Sequence, residues 1–164
     1  MVLKVVIWVV LLPVGIAVLA LAAGQLGMFR SSAPQDLGVK DGKLKPPSGT
    51  ENSVSSQAGL YPDHPMRAYA EVAPFKFSGD GAAALAKLKA IVGAMERVTI
   101  VRTEPLYLHF ESTSKWFKFV DDTEFLVDEK EQLIHVRAAA RVGRKDFGAN
   151  RARVEAIRAR FGRG

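Results

Sequence analysis

The chain of 164 residues has no cysteine. That excludes disulfides, thiolate metal sites and a cysteine nucleophile, and it leaves redox chemistry silent about compartment. Catalytic signatures are also missing: there is no G-x-S-x-G elbow and no P-loop. Ser55, Ser56, Ser112 and Ser114 have no histidine imposed on them by spacing. Charge is absent from one long run, VVIWVVLLPVGIAVLALAAGQLGMF, residues 5–29. About 20 apolar residues at ~1.5 Å each cross a bilayer core, so this run is long enough to span. Signal-peptide cores are shorter, roughly 7–15 residues. The length favours a retained anchor. Ala20-Leu21-Ala22 would suit a signal peptidase, so cleavage is the alternative. Lys4 beside a very short leading tail places that end in the cytoplasm. The expected location is the inner membrane, single-pass, with the C-terminal domain outside the cytoplasm, or the periplasm after cleavage.

The net charge of +6 is concentrated at one end. Residues 137–164 hold nine Lys and Arg against Asp146 and Glu155, a net +7 that leaves the rest of the chain at −1. Residues 141–158, RVGRKDFGANRARVEAIR, are the densest part. Nucleic-acid binding would need a continuous basic face with aromatic stacking partners. Only Phe147 and Phe161 are near, and Phe161 belongs to an apolar stripe, so no nucleic-acid partner is expected.

Three regions follow. Residues 1–29 form the anchor or signal segment. Residues 30–72 are rich in Ser, Gly, Pro, Asp and Asn and read as an irregular linker. Leu37, Val39, Leu44 and Val54 recur there, so part of it should pack on the domain. Residues 73–164 are orderly. Phe75 and Phe77 alternate as in a short strand. Asp80 then caps a helix with Leu85, Leu88, Ile91, Val92 and Met95 at helical spacing and Lys87 and Lys89 turned out. RVTIVRT, LYLHFES, FVDDTEFLVD and QLIHVRAAAR read as strands, with a DEKEQ turn between the last two. A final helix starts near Asn150 as N-cap, with Val154, Ile157 and Phe161 as its apolar stripe. The fold class is α+β: a transmembrane helix, then a two-layer domain with an antiparallel sheet of four to five strands and two helices on one face.

Strand side chains alternate between faces. One face collects Leu106, Leu108, Phe110, Phe125, Val127, Ile134, Val136 and Ala138. The other collects Tyr107, His109, Glu111, Asp122, Glu124, His135, Arg137 and Arg141. Such a surface could bind a charged partner, or it could be ordinary cross-strand ion pairing. His109-x-Glu111 and Asp122-x-Glu124 also have the period of a metal site, but the neighbouring arginines compete for the carboxylates, and no metal or other cofactor is expected. Asp121 is sent to the core side, which requires a strand end, a bulge or an arginine partner. Arg151 and Arg153 oppose the positive end of the last helix. Asp146, the Asp121/Asp122/Glu124 group or a bound anion could offset them. Gly143 and Gly148 permit the backbone angles such a connection needs. The candidate binding or structural ion-pair cluster is therefore Asp121, Asp122, Glu124, Arg137, Arg141, Asp146, Asn150, Arg151 and Arg153. His109, Glu111 and His135 complete a secondary polar face. Arg158 onward reads as a solvated tail.

The segments DLGVKDGKL, NSVSSQA, YLHFESTSKWFKFVDDTEF and IHVRAAARVGRKDFGANRARVEAIR resemble domain-of-unknown-function family 1499, over roughly residues 35–160. Its members are bacterial, often membrane-anchored proteins with plant plastid relatives. The resemblance implies an envelope location and a single compact domain, and carries no established activity. Two departures matter. The family's linker cysteines fall at Pro47 and Ser53, so a disulfide that the resemblance would imply is absent. Its Ser-rich residues after the strand arginine are Ala138, Ala139 and Ala140. The expectation is a membrane-anchored, non-catalytic binding or structural module, with a small anion or an envelope protein as possible partner. The alternatives are an enzyme acting on an anionic substrate through the acidic/arginine cluster, and anionic-lipid binding by the basic C-terminus.

Overall fold

The computed structural model describes residues 2–163, with side chains from residue 8 onward. Helix α1 (Val2–Gln25) holds residues 5–25 of the uncharged run and includes Pro13. Its segment Trp8–Gln25 is long and apolar enough to cross a membrane, with mean hydropathy 2.0, and only 6% of it is buried against the protein. It is therefore not a core helix of the domain.

The domain is a six-stranded sheet. Its strands are β1 (Ser53–Ser55), β2 (Phe75–Lys76), β3 (Val98–Glu104), β4 (Tyr107–Thr113), β5 (Val120–Asp128) and β6 (Leu133–Ala140). The order is β1-β6-β5-β4-β3, with β2 also on β6, and every pairing is antiparallel. β1 and β2 share the outer flank of β6: β1 pairs with Arg137–Ala139 and β2 with Leu133–Ile134. A short helix α2 (Arg67–Ala70) lies between them in sequence. The sheet thus exceeds the expected four to five strands, because the linker donates β1. Three residues in a Ser-rich stretch are too few to display alternation, and their partner lies more than 80 positions downstream.

Helix α3 (Gly81–Gly93) begins at Asp80, whose carboxylate accepts the backbone N–H of Ala82 and Ala83, as a capping residue should. Leu85, Leu88 and Val92 are its buried stripe. Lys87 is not fully turned out: its ammonium lies 4.7 Å over the Phe161 ring. Helix α4 (Ala149–Phe161) buries Val154, Ile157 and Phe161. Both helices pack on the same face of the sheet. There the cross-strand rows run Phe110–Thr123–Ala138–Val54 and Leu108–Phe125–Val136. Phe75 sits edge-on to Phe125 at 5.3 Å and to Phe161 at 5.8 Å, so β2, β5 and α4 are fastened through one ring.

Truncating a fully buried ring leaves a cavity as well as losing transfer energy. Phe125→Ala should cost about 3–5 kcal/mol by chemical denaturation. Phe147, 94% exposed, serves as control, and Phe147→Ala should stay within ~0.5 kcal/mol.

Candidate functional site: an ionic sheet face under a strap

The second face of the sheet carries three cross-strand rows. They are Glu111–Asp122–Ala139–Ser53, His109–Glu124–Arg137–Ser55 and Tyr107–Leu126–His135. The parity argument therefore assembles the expected side chains. It does not make them a surface. Asp122, Glu124, Arg137 and His109 are all at most 5% exposed. Residues 31–46, part of the linker, run across them as a strap. Gly38 N–H donates to Glu124 Oε1 at 2.7 Å. Arg137 Nε donates to the Pro46 carbonyl at 3.1 Å, and Arg141 Nη1 donates to the Ser31 carbonyl at 3.1 Å. Leu44 of the strap is itself buried, and its N–H donates to Gln57 Oε1.

Glu111 and Asp122 lie directly opposite each other, an arrangement that like charges disfavour. The Arg141 guanidinium resolves it. Its Nε reaches Asp122 Oδ2 and its Nη2 reaches Asp122 Oδ1, both at 2.7 Å, while Nη2 also donates to Glu111 Oε1. His109 Nε2 donates to Asp122 Oδ1 at 2.8 Å. Burial pushes the Asp122 carboxyl up, but hydrogen bonds from Arg141 and His109 outweigh it and hold the group below the ordinary carboxylate range. Hydrogen bonding to Asp122 correspondingly raises Arg141. The space between Glu111 and Asp122, where a metal would sit, is filled by this guanidinium.

Beside it lies Glu124, fully buried. Its Oε1 also accepts the Tyr107 hydroxyl at 2.7 Å. Burial and then the Glu124 charge push the Tyr107 phenol well up, so it stays protonated as a donor. Glu124 Oε2 faces Arg137 Nη1 at 3.6 Å, too long for a hydrogen bond, and has no hydrogen-bond partner among the described residues. Burial lowers Arg137, opposed by Glu124 and Asp122.

The remaining predicted residues go elsewhere. Asp121 points to the helix face, as parity requires, and its Oδ2 accepts Arg153 Nη2 at 2.7 Å. Arg153 Nη1 also donates to Asn150 Oδ1 at 2.7 Å. Asn150 is not the N-cap of α4 but its second residue, fully buried, with its Nδ2 donating to the Asn52 carbonyl at 3.3 Å. The cap position is Gly148, at φ +81, which only glycine adopts without strain. The carboxylate that serves this terminus is Asp146, accepting Gly148 N–H, Asn150 N–H and the Tyr69 hydroxyl. Burial raises Asp146, and these hydrogen bonds outweigh that and lower it. Arg151 donates to the carbonyls of Tyr69 and Glu71, fastening α2. The nine residues thus form no single cluster: Asp122, Glu124, Arg137 and Arg141 lie under the strap, and Asp121, Asp146, Asn150, Arg151 and Arg153 bind α4 to the sheet and to α2. Arg158 is not a free tail either, because it donates to the Ala73 and Pro74 carbonyls and lies 4.2 Å over Phe75. Arg160 and Arg163 are exposed.

Alternation on LYLHFES places Tyr107 on this face but does not show its role as hydroxyl donor to Glu124, and a second contact has no signal in the spacing. Ser56 Oγ lies 3.3 Å from His135 Nδ1 and also accepts the Val136 N–H at 2.9 Å. Burial lowers His135, opposed by Asp128, and the pair lines a cavity of about 330 Å³ with Asp128 and Gln57. No described carboxylate hydrogen-bonds this imidazole.

A two-layer α+β domain, preceded by a long apolar helix and with its polar sheet face roofed by its own linker, is thus defined. The chain belongs to the family described as Protein of unknown function (DUF1499), whose model matches residues 43–161. No curated protein matches it.

A lowered carboxyl contributes stability that is present above its unfolded value, ~3.9 for Asp, and lost as pH falls through the lower folded value. Melting temperature should therefore drop below about pH 4. The drop should be shallower in Asp122→Asn, which gives up that contribution at neutral pH instead.

Proposed function

We propose that the protein is a membrane-anchored, non-catalytic module of the cell envelope. Its domain is carried outside the cytoplasm on α1, and the ionic face locks the connection between anchor and domain. The observation that carries this reading is where the charges are directed. Arg137 and Glu124 are buried, the Arg141 side chain is only 6% exposed, and each is turned onto the protein's own strap or onto a neighbouring side chain. A binding site for an anionic substrate would present unpaired cations to solvent, and these two arginines are occupied. A domain held close to its anchor suits a part that offers one surface to an envelope partner in a fixed orientation.

Buried ion pairs contribute little over an apolar replacement, but removing one partner strands the other charge and costs about 3–5 kcal/mol. Asp122→Ala and Arg141→Ala should each lower the melting temperature of the full chain in detergent. The double variant should cost less than the sum, by a coupling of about 1–3 kcal/mol. Amide exchange across residues 31–46 should accelerate in both single variants. Stability-neutral, uncoupled variants, together with a melting temperature raised by inorganic phosphate, would reject the lock and favour the anionic-substrate enzyme.

A further inference from the structure

The hairpin connecting β4 and β5, residues 114–119, reads SKWFKF. It packs on none of the domain's core. Instead it meets the end of α1. Gln25 Nε2 donates to the Trp116 carbonyl at 2.7 Å. A Cβ on Gly24 would come within 2.7 Å of the Phe117 carbonyl oxygen, so glycine there permits the helix and the hairpin backbone to touch. Phe29, just past the helix, stacks on Phe119 at 5.3 Å and lies 6.4 Å from Phe117. Around this junction the apolar side chains stay outside the protein: Trp116 is 61% exposed, Met28 72% and Leu26 81%.

We propose that this hairpin is a second membrane contact, with Trp116, Phe117 and Phe119 lying in the interfacial layer of the bilayer beside the point where α1 leaves it. The proposal rests on the reading of α1 as a retained anchor. Depth follows from contact. Gln25 is the last residue of α1 and the first strongly polar side chain after the apolar segment begins, so a group that hydrogen-bonds its side chain lies near the end of the span. The composition suits that depth. Tryptophan favours the headgroup level, where its apolar body and its N–H are both accommodated, and phenylalanine rings bury at the headgroup/acyl boundary beside it. Lys115 and Lys118 flank the rings and can extend their ammonium groups to lipid phosphates. In water the same apolar cluster would be an uncovered patch. A bilayer covers it without any further protein. Two contacts, helix and hairpin, fix the tilt of the domain on the membrane where one flexible tether would not.

The chain has two tryptophans, Trp8 and Trp116. Trp8→Phe leaves Trp116 as sole reporter. The full chain is reconstituted into phosphatidylcholine/phosphatidylglycerol vesicles and recovered by flotation, and its Trp116 emission is recorded. The expected result is blue-shifted emission, protected from acrylamide, and quenched more by lipids brominated near the headgroup than by lipids brominated near the chain end. Emission at the wavelength of water-exposed tryptophan, freely quenched by acrylamide, would overturn the proposal while leaving the anchor intact. Protection from acrylamide without bromine quenching would also overturn it, since a second protein surface would then cover the rings. If the chain purified from membranes has lost α1, or does not float, the anchor reading fails and the hairpin proposal falls with it.

Discussion

The Asp122–Arg141 pair governs the polar side of this fold. β5 places Asp122 opposite Glu111, and two facing carboxylates on a buried sheet face cannot persist without a cation between them. Arg141 lies one residue past β6 and so can swing its guanidinium back over the row. Once it is there, its remaining Nη1 needs an acceptor away from water. The Ser31 carbonyl is that acceptor. The same logic repeats one row along, where Arg137 takes the Pro46 carbonyl and Glu124 takes the Gly38 N–H. The strap is therefore part of the chemistry of the sheet, satisfying polar groups that the strands alone leave open.

The two faces of the sheet are held by different physics. On the helix side the fastening is apolar area, through Leu88, Val92, Ile157 and the Phe75–Phe125–Phe161 contacts. Arginines of α4 then pin the periphery: Arg153 to Asp121, Arg151 to α2, Arg158 to the segment before β2. On the strap side hydrogen bonds to charged groups dominate. Such bonds are stronger than neutral ones and depend on geometry. A basic C-terminus that reads as a ligand-binding patch is in large part internal wiring.

Much of the fold was legible. The span of α1, the Asp80 cap, the apolar stripes of both helices and the alternation along β4, β5 and β6 are local patterns with periods of 3.6 and 2, and they carried over to the structure. So did the assignment of Asp121 to the opposite face from Asp122. The site was legible only in part. Parity predicted that His109, Glu111, Asp122, Glu124, Arg137 and Arg141 share a face, because register in an antiparallel sheet follows alternation. It could not say that the face is covered. That depends on contacts between residues 31–46 and strands some 80–110 positions away, and nothing periodic marks them. The cap of α4 differs from the sequence expectation for a related reason. Asn150 has the right chemistry, but the turn at Gly143–Gly148 moves the helix start and gives the terminus to Asp146.

Sequence alone determined the long apolar helix, the α+β class, the division of the sheet into an apolar and a charged face, and family membership. All of these depend on local spacing, which a linear chain displays. Tertiary structure decided which charges meet, that the linker adds β1 and roofs the ionic face, and that the SKWFKF hairpin lies against the foot of α1. Those outcomes depend on which distant segments must supply hydrogen-bond partners to groups removed from water. That requirement exists only once the chain has folded.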